Sequence, residues 1–370
     1  MQQENWYLLS DEESIETPAV IFYQERILQN IKILKGMVND VDRLRPHVKT
    51  HKCLETTNML IAEGINKFKC ATIAEAEMLG MANAKDVLLA YQPVGENINR
   101  FFKLKRKYSN THFSCLVDNL QIAQKLAKKA SSEYTTVDVY MDLNVGMNRT
   151  GILPEFASIL FKLLISIFNI NVRGLHTYDG HIHDASMEIR KQKSEPIITW
   201  LKRLKEEFES INGNKLSIIA GGTPTFPIYA DETDFECSPG TFILWDKGYQ
   251  DAYPEQKFSI AALVASRIVS KPVNGLVCTD LGHKAVAAEK ALNNRVFFIN
   301  APNLEVQSQS EEHLVLSTDE PENYNIGDVL YGLPYHICPT VALHEKAICL
   351  ISDKSIQHWE IISRKRKITI

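Results

Sequence analysis

The chain has no long apolar run. A membrane-crossing helix needs about 20 consecutive apolar residues, and no segment of the 370 residues offers one. The opening stretch, MQQENWYLLSDEES, is polar and acidic, so it reads neither as a secretion signal nor as an anchor. Basic charge is scarce as well: 41 Lys and Arg against 45 Asp and Glu leave a formal net charge of −4. That balance supplies no field for a nucleic-acid backbone, and the basic SRKRKITI stretch reads as a solvated tail. The seven cysteines are odd in number and scattered, most of them in apolar runs such as FKCAT and FSCLV. They read as reduced, buried thiols of a cytoplasmic protein rather than as a disulfide frame. Internal repeats, low-complexity tracts and long linkers are missing too, which excludes repeat architectures and disordered tethers.

What is present is an ample core, 45% hydrophobic residues, arranged as short apolar runs between longer helical patterns. RLRPHVKT, KFKCAT, DVLLA, HFSCLV, VDVYMDL, VRGLHTY, LSIIAG and DFECSPG read as strands. Strands separated by helices pair in parallel through crossovers. Eight of them predict a (β/α)8 TIM barrel over residues 16–254, with a doubly wound open sheet as the second choice. Beyond residue 254 the texture becomes β-rich, in FSIAALVASRIVS, GLVCTD, RVFFIN, EEHLVLS, DVLYGLP and KAICLIS. This predicts a second, mostly antiparallel β domain over 255–370 that takes residues 1–15 with it and has room for the PAVIFY segment.

A barrel works at the C-terminal ends of its strands. The first candidate strand ends in HVKT, where Lys49 is crowded by His47, His51 and Lys52. Desolvation and neighbouring cations lower a lysine's pKa and make its amine nucleophilic, as a Schiff-base lysine requires; a lysine snorkelling to the surface is the plainer alternative. Arg149, in MNRTG, suits a phenolate or carboxylate, or an ordinary salt bridge. HTYDGHIHD brings His176, Tyr178, Asp179, His181 and His183 into eight positions, a polar wall more than a metal site, because only His176 and Tyr178 share a strand face. Gly221, Gly222 and Thr223 follow the seventh strand, and Gly240 and Thr241 the eighth. Loops there commonly hold a phosphate, and a lysine opposite a phosphate site points to pyridoxal phosphate. In PYHICPT, His336 and Cys338 would face the same way on a strand, and imidazole with thiolate suits zinc.

RPHVKTHK, MNRTG, GGTP, CSPGTF, DLGHKA and the late HIC occur in an order that resembles the D-threonine aldolase and D-serine dehydratase family of fold-type III pyridoxal phosphate enzymes, relatives of alanine racemase. The resemblance spans nearly the whole chain. It implies that Lys49 is the Schiff-base lysine, that His47 lines the cofactor pocket, and that Arg149 contacts the ring oxygen. It further implies that Tyr178 lies near the pyridine ring, that Gly221, Gly222, Thr223, Gly240 and Thr241 hold the phosphate, and that His336 and Cys338 bind a divalent metal. Cys338 in place of a carboxylate favours zinc over manganese or magnesium and leans the resemblance toward a D-serine dehydratase. D-threonine aldolase, D-3-hydroxyaspartate dehydratase and amino-acid racemase remain the alternatives. A homodimer acting on a small D-amino acid is implied in the same way. The roles of Asp179, His181, His183 and Lys284 stay open.

Overall fold

The computed structural model describes residues 5–9 and 11–370. In chain order the strands are β1 (Ala19–Tyr23), β2 (Lys67–Cys70), β3 (Asp86–Leu89), β4 (His112–Val117), β5 (Val137–Leu143), β6 (Ile170–Thr177), β7 (Ser217–Ala220) and β8 (Glu236–Cys237). They are followed by β9 (Ala262–Ser270), β10 (Leu276–Thr279), β11 (Val296–Phe298), β12 (Glu305–Gln309), β13 (Leu314–Ser317), β14 (Val329–Pro334), β15 (Lys346–Leu350) and β16 (Ile356–Glu360). The chain forms two compact units. One gathers Leu34–Lys49, Thr56–Gly240 and Lys365–Ile370; the other gathers the N-terminal residues through Ile33, Thr50–Glu55 and Thr241–Arg364.

The first unit is a TIM-like barrel, with β2 to β8 paired in parallel in chain order. Helices follow the strands, among them Leu54–Ala62, Ile73–Met81, Glu96–Lys107, Leu120–Ser132, Pro154–Ile165 and Met187–Asn212. The eighth element differs from the strand expected at RLRPHVKT. Residues 44–48 make only two isolated bridges, Leu44 to Cys237 on one side and His47 to Lys69 on the other. Pro46 is the reason: it has no N–H to donate to a ladder, although its carbonyl still accepts from Lys69 N at 2.9 Å. The segment nevertheless bridges both edge strands and closes the ring.

Alternation along each strand sorts the barrel interior into levels. At the N-terminal end Arg45, buried at 1% side-chain exposure, lies 2.6 Å from both Asp86 and Glu236, and Lys67 reaches Glu236 at 2.7 Å. One pleat further, Leu88, Leu116, Tyr140 and Ile219 form an apolar plug. The next level is polar again and contains Lys69, Asp142 and His176, all buried. Removing one partner of a buried ion pair leaves the other charges uncompensated, at about 3–5 kcal/mol. Arg45→Ala is therefore expected to lower stability by about that amount in urea unfolding. A loss below about 1 kcal/mol would mean that Asp86 and Glu236 find other partners.

The second unit is built on a nine-stranded sheet with the path β12-β13-β10-β9-β1-β15-β16, and β14 joins β9 to β11. All pairings are antiparallel except β1 with β15. The sequence boundaries shift accordingly. Residues 16–33, expected in the barrel, group with the second unit because β1 inserts between β9 and β15. Its core includes Val264, Ile268, Val277, Leu281, Leu314 and Leu330. Among the described residues, no helix is long and apolar enough to cross a membrane.

Candidate active site

Two clusters bring the candidate residues together. In the barrel, the Tyr178 ring collects cations: Lys49 Nζ lies 5.9 Å, Lys69 Nζ 5.7 Å and the Arg149 guanidinium 5.1 Å from its centre. The His47 ring accepts from the Lys49 backbone N–H at 3.2 Å, bracing the turn that presents the lysine. Asp142 Oδ1 lies 2.7 Å from His176 Nδ1. Burial, reinforced by Lys69, lowers His176 to about 4 against the pull of Asp142. The imidazole is therefore neutral, its Nδ1 hydrogen goes to Asp142, and its Nε2 is a bare acceptor. That Nε2 is buried without a partner.

The glycine loop after β7 lies beside the Tyr178 ring. Gly221 has φ +73°, a left-handed conformation that favours glycine. At Gly222 a Cβ would come within 2.8 Å of the Tyr178 ring, so only glycine lets the backbone approach so closely. Thr223 Oγ1 accepts from the Gly240 N–H at 3.2 Å, tying the two glycine loops together. Ser238 Oγ is buried nearby in sequence with no partner. Asp179 Oδ1 accepts from Thr225 Oγ1 at 3.1 Å and so anchors the 221–225 loop from beneath; burial raises its pKa.

The second cluster surrounds Cys338. Its Sγ lies 3.2 Å from Thr50 Oγ1 and 3.6 Å from Thr241 Oγ1. Thr50 directly follows Lys49 in the chain, and Thr241 directly follows Gly240. The expected strand placement of His336 and Cys338 is corrected. His336 is the N-cap of a short helix, Ile337–Leu343, and Cys338 lies in its first turn. Asp246 holds the start of this helix, accepting from the Ile337 N–H at 3.1 Å and from the Tyr249 N–H at 2.9 Å. Glu289 Oε1 lies 2.5 Å from His336 Nδ1, which orients the ring, and the imidazole also hydrogen-bonds Cys338. Burial resists charge on His336, but Cys338 and Glu289 outweigh it and raise the imidazole to about 9.

The histidine-rich stretch after β6 splits up. His176 is buried against Asp142, whereas His181 and His183 are exposed. No group of three or more His, Cys, Asp and Glu side chains with metal-ligand geometry occurs among the described residues. Lys284 is an exposed lysine paired with Glu311 at 2.6 Å and Glu312 at 3.2 Å, a surface arrangement of little energetic weight. Three residues in contact with the candidate site escaped the sequence reading: Lys69, Asp142 and Glu289. Alternation in KFKC and VDVYMDL puts Lys69 and Asp142 on the inner face and could have flagged them. Nothing local marks Glu289, which is 47 residues from His336.

Comparison with known proteins finds two family models along the chain. Residues 23–221 match the alanine racemase N-terminal domain, and residues 261–350 match a putative serine dehydratase domain. The chain is 23% identical to a D-threonine aldolase from Arthrobacter sp, covering 95% of this chain and 93% of that one. It is 22% identical to a D-threo-3-hydroxyaspartate dehydratase from Delftia sp. (strain HT23), covering 94% and 97%. It is also 22% identical to a D-serine dehydratase from Dictyostelium discoideum, covering 94% and 98%. Among solved structures, a D-threonine aldolase from Filomicrobium marinum superposes with a TM-score of 0.85 at 23% identity, covering 95% of each chain. A D-threo-3-hydroxyaspartate dehydratase mutant in a metal-free form gives 0.82 at 21% identity, covering 94% of this chain and 97% of that one.

Proposed function

Because the chain belongs to the family defined by the alanine racemase N-terminal domain, here continued by a serine dehydratase-type domain, we propose that it is a pyridoxal phosphate- and metal-dependent lyase of D-3-hydroxy amino acids. The reaction is elimination of water, as in D-serine dehydratases, followed by hydrolysis of the enamine product, which takes up a water and releases ammonia and a 2-keto acid. The observation that carries the choice of elimination is Cys338 beside His336: thiolate with imidazole suits zinc, a Lewis acid able to assist a poor leaving group.

The barrel residues fit the cofactor. Gly221 and Gly222 open a cradle that a Cβ would fill, and Ser238 Oγ and His176 Nε2 are buried without partners. Lys49 would carry the cofactor, Arg149 would meet its ring oxygen, Tyr178 would flank the pyridine, and Gly221, Gly222, Thr223, Gly240 and Thr241 would hold its phosphate. Bound there, pyridoxal phosphate supplies an electron sink for negative charge at the substrate Cα. Lys49 Nζ, freed when substrate binds, takes the proton from Cα. His47 keeps the Lys49 backbone in place through the 3.2 Å hydrogen bond. Asp142 fixes the His176 tautomer, while burial and Lys69 keep the ring neutral. His336 and Cys338 would hold the metal, with Glu289 orienting the imidazole and Thr50 beside the sulfur. Two protein donors are fewer than a closed zinc site has, which leaves positions for substrate oxygen and water.

The test is an assay of purified protein with pyridoxal phosphate and zinc, given D-serine, D-threonine and D-threo-3-hydroxyaspartate separately. Keto acid that disappears on chelation is expected. Glycine with an aldehyde would make the protein an aldolase and overturn the inference from Cys338.

A further inference from the structure

The barrel site holds more positive charge than its own carboxylates answer. Lys49, Lys69 and Arg149 all lie within 6 Å of the Tyr178 ring centre, at 5.9, 5.7 and 5.1 Å. Lys49 and Arg149 have assigned roles in the reading above; Lys69 has none. It is 4% exposed. The groups acting on its amine are burial, Lys49, Asp142, Arg149 and Asp179, with no hydrogen-bonded carboxylate among them. Both acids are already engaged, Asp142 by His176 at 2.7 Å and Asp179 by Thr225 at 3.1 Å. Burying an amine without a partner is costly, and here burial, then Lys49, lower it to about 7. The fold therefore keeps a buried cation-forming group beside the Tyr178 ring with no carboxylate bonded to it.

The choice of anion follows from what the other groups take. The cofactor phosphate has the neutral glycine cradle, and the ring oxygen has Arg149. We propose that Lys69 is a specificity-determining residue that receives a second, side-chain carboxylate of the substrate, so that the preferred substrate is an acidic D-3-hydroxy amino acid rather than D-serine. This rests on the lyase reading above and narrows its substrate. An anionic guest would hold the Lys69 proton in place, and D-serine, lacking that group, would leave the amine unpaired. Sites built around a buried polar group discriminate strongly against substrates that leave it unmatched.

The experiment compares kcat/KM for D-threo-3-hydroxyaspartate and D-serine in the wild-type holoenzyme, Lys69→Met and Lys69→Arg. Cofactor affinity is followed in parallel by the visible absorbance. The wild type should favour the diacid by at least about tenfold; Lys69→Met should collapse that ratio by about 30-fold or more, and Lys69→Arg should restore part of it. A wild-type preference for D-serine, an unchanged ratio in Lys69→Met, or a matching loss of cofactor affinity would overturn the proposal, the last by assigning Lys69 to the cofactor. If neither amino acid is turned over, and D-threonine is not either, the lyase reading fails separately. In that case, D-malate and D-lactate binding, read from the shift in cofactor absorbance, still decides the role of Lys69: only malate should weaken in Lys69→Met, and equal weakening would overturn it.

Discussion

Lys49→Ala should lose turnover by at least about a thousandfold, together with the visible absorbance of protein-bound pyridoxal phosphate. One amine performs both tasks assigned to Lys49, attachment of the cofactor and removal of the Cα proton, so one substitution removes both. The fold should survive it. Lys49 is partly exposed, and the contact it forms with His47 uses its backbone N–H, which alanine retains. Circular dichroism and the urea midpoint should match the wild type, which separates a chemical loss from an unfolded chain. Retained activity with Lys49→Ala would transfer the cofactor to another amine. Lys69, beside the same tyrosine ring, is the residue to replace next.

The second large effect concerns the metal cluster. Cys338→Ala and His336→Ala should each reduce keto-acid formation by about a hundredfold or more while leaving the cofactor absorbance intact, since no residue assigned to the cofactor is replaced. Zinc content by mass spectrometry should fall in step. Glu289→Gln keeps the shape but weakens the acceptor for His336 Nδ1, and should cost about 10–100-fold in metal affinity, as loss of an orienting partner does. Zinc bound as tightly by Cys338→Ala as by the wild type would remove the thiolate from the ligand set, and with it the case for zinc over a harder ion.

Much of this molecule is legible in local sequence, for physical reasons that are themselves local. The alternation of short apolar runs with helical segments announces parallel crossovers, and β2 to β8 stand where the runs in KFKCAT through DFECSPG put them. The glycine pair at 221–222 announces a close backbone approach because a missing Cβ serves little else. Other features depend on residues that are remote in the chain. Pro46 breaks the ladder at the first barrel strand, yet bridges to Cys237 and Lys69, far apart in sequence, still close the ring. PAVIFY pairs with β9 and β15, which no pattern within it specifies. Hydrophobic period determined on its own which segments become strands and helices and which residue types reach the barrel mouth. Only the tertiary structure decided that His336 is oriented by Glu289, that Cys338 lies beside Thr50 and Thr241, and that Lys69 is buried without a carboxylate. Pairing of side chains depends on distance in space, and distance in space is set by how the whole chain closes.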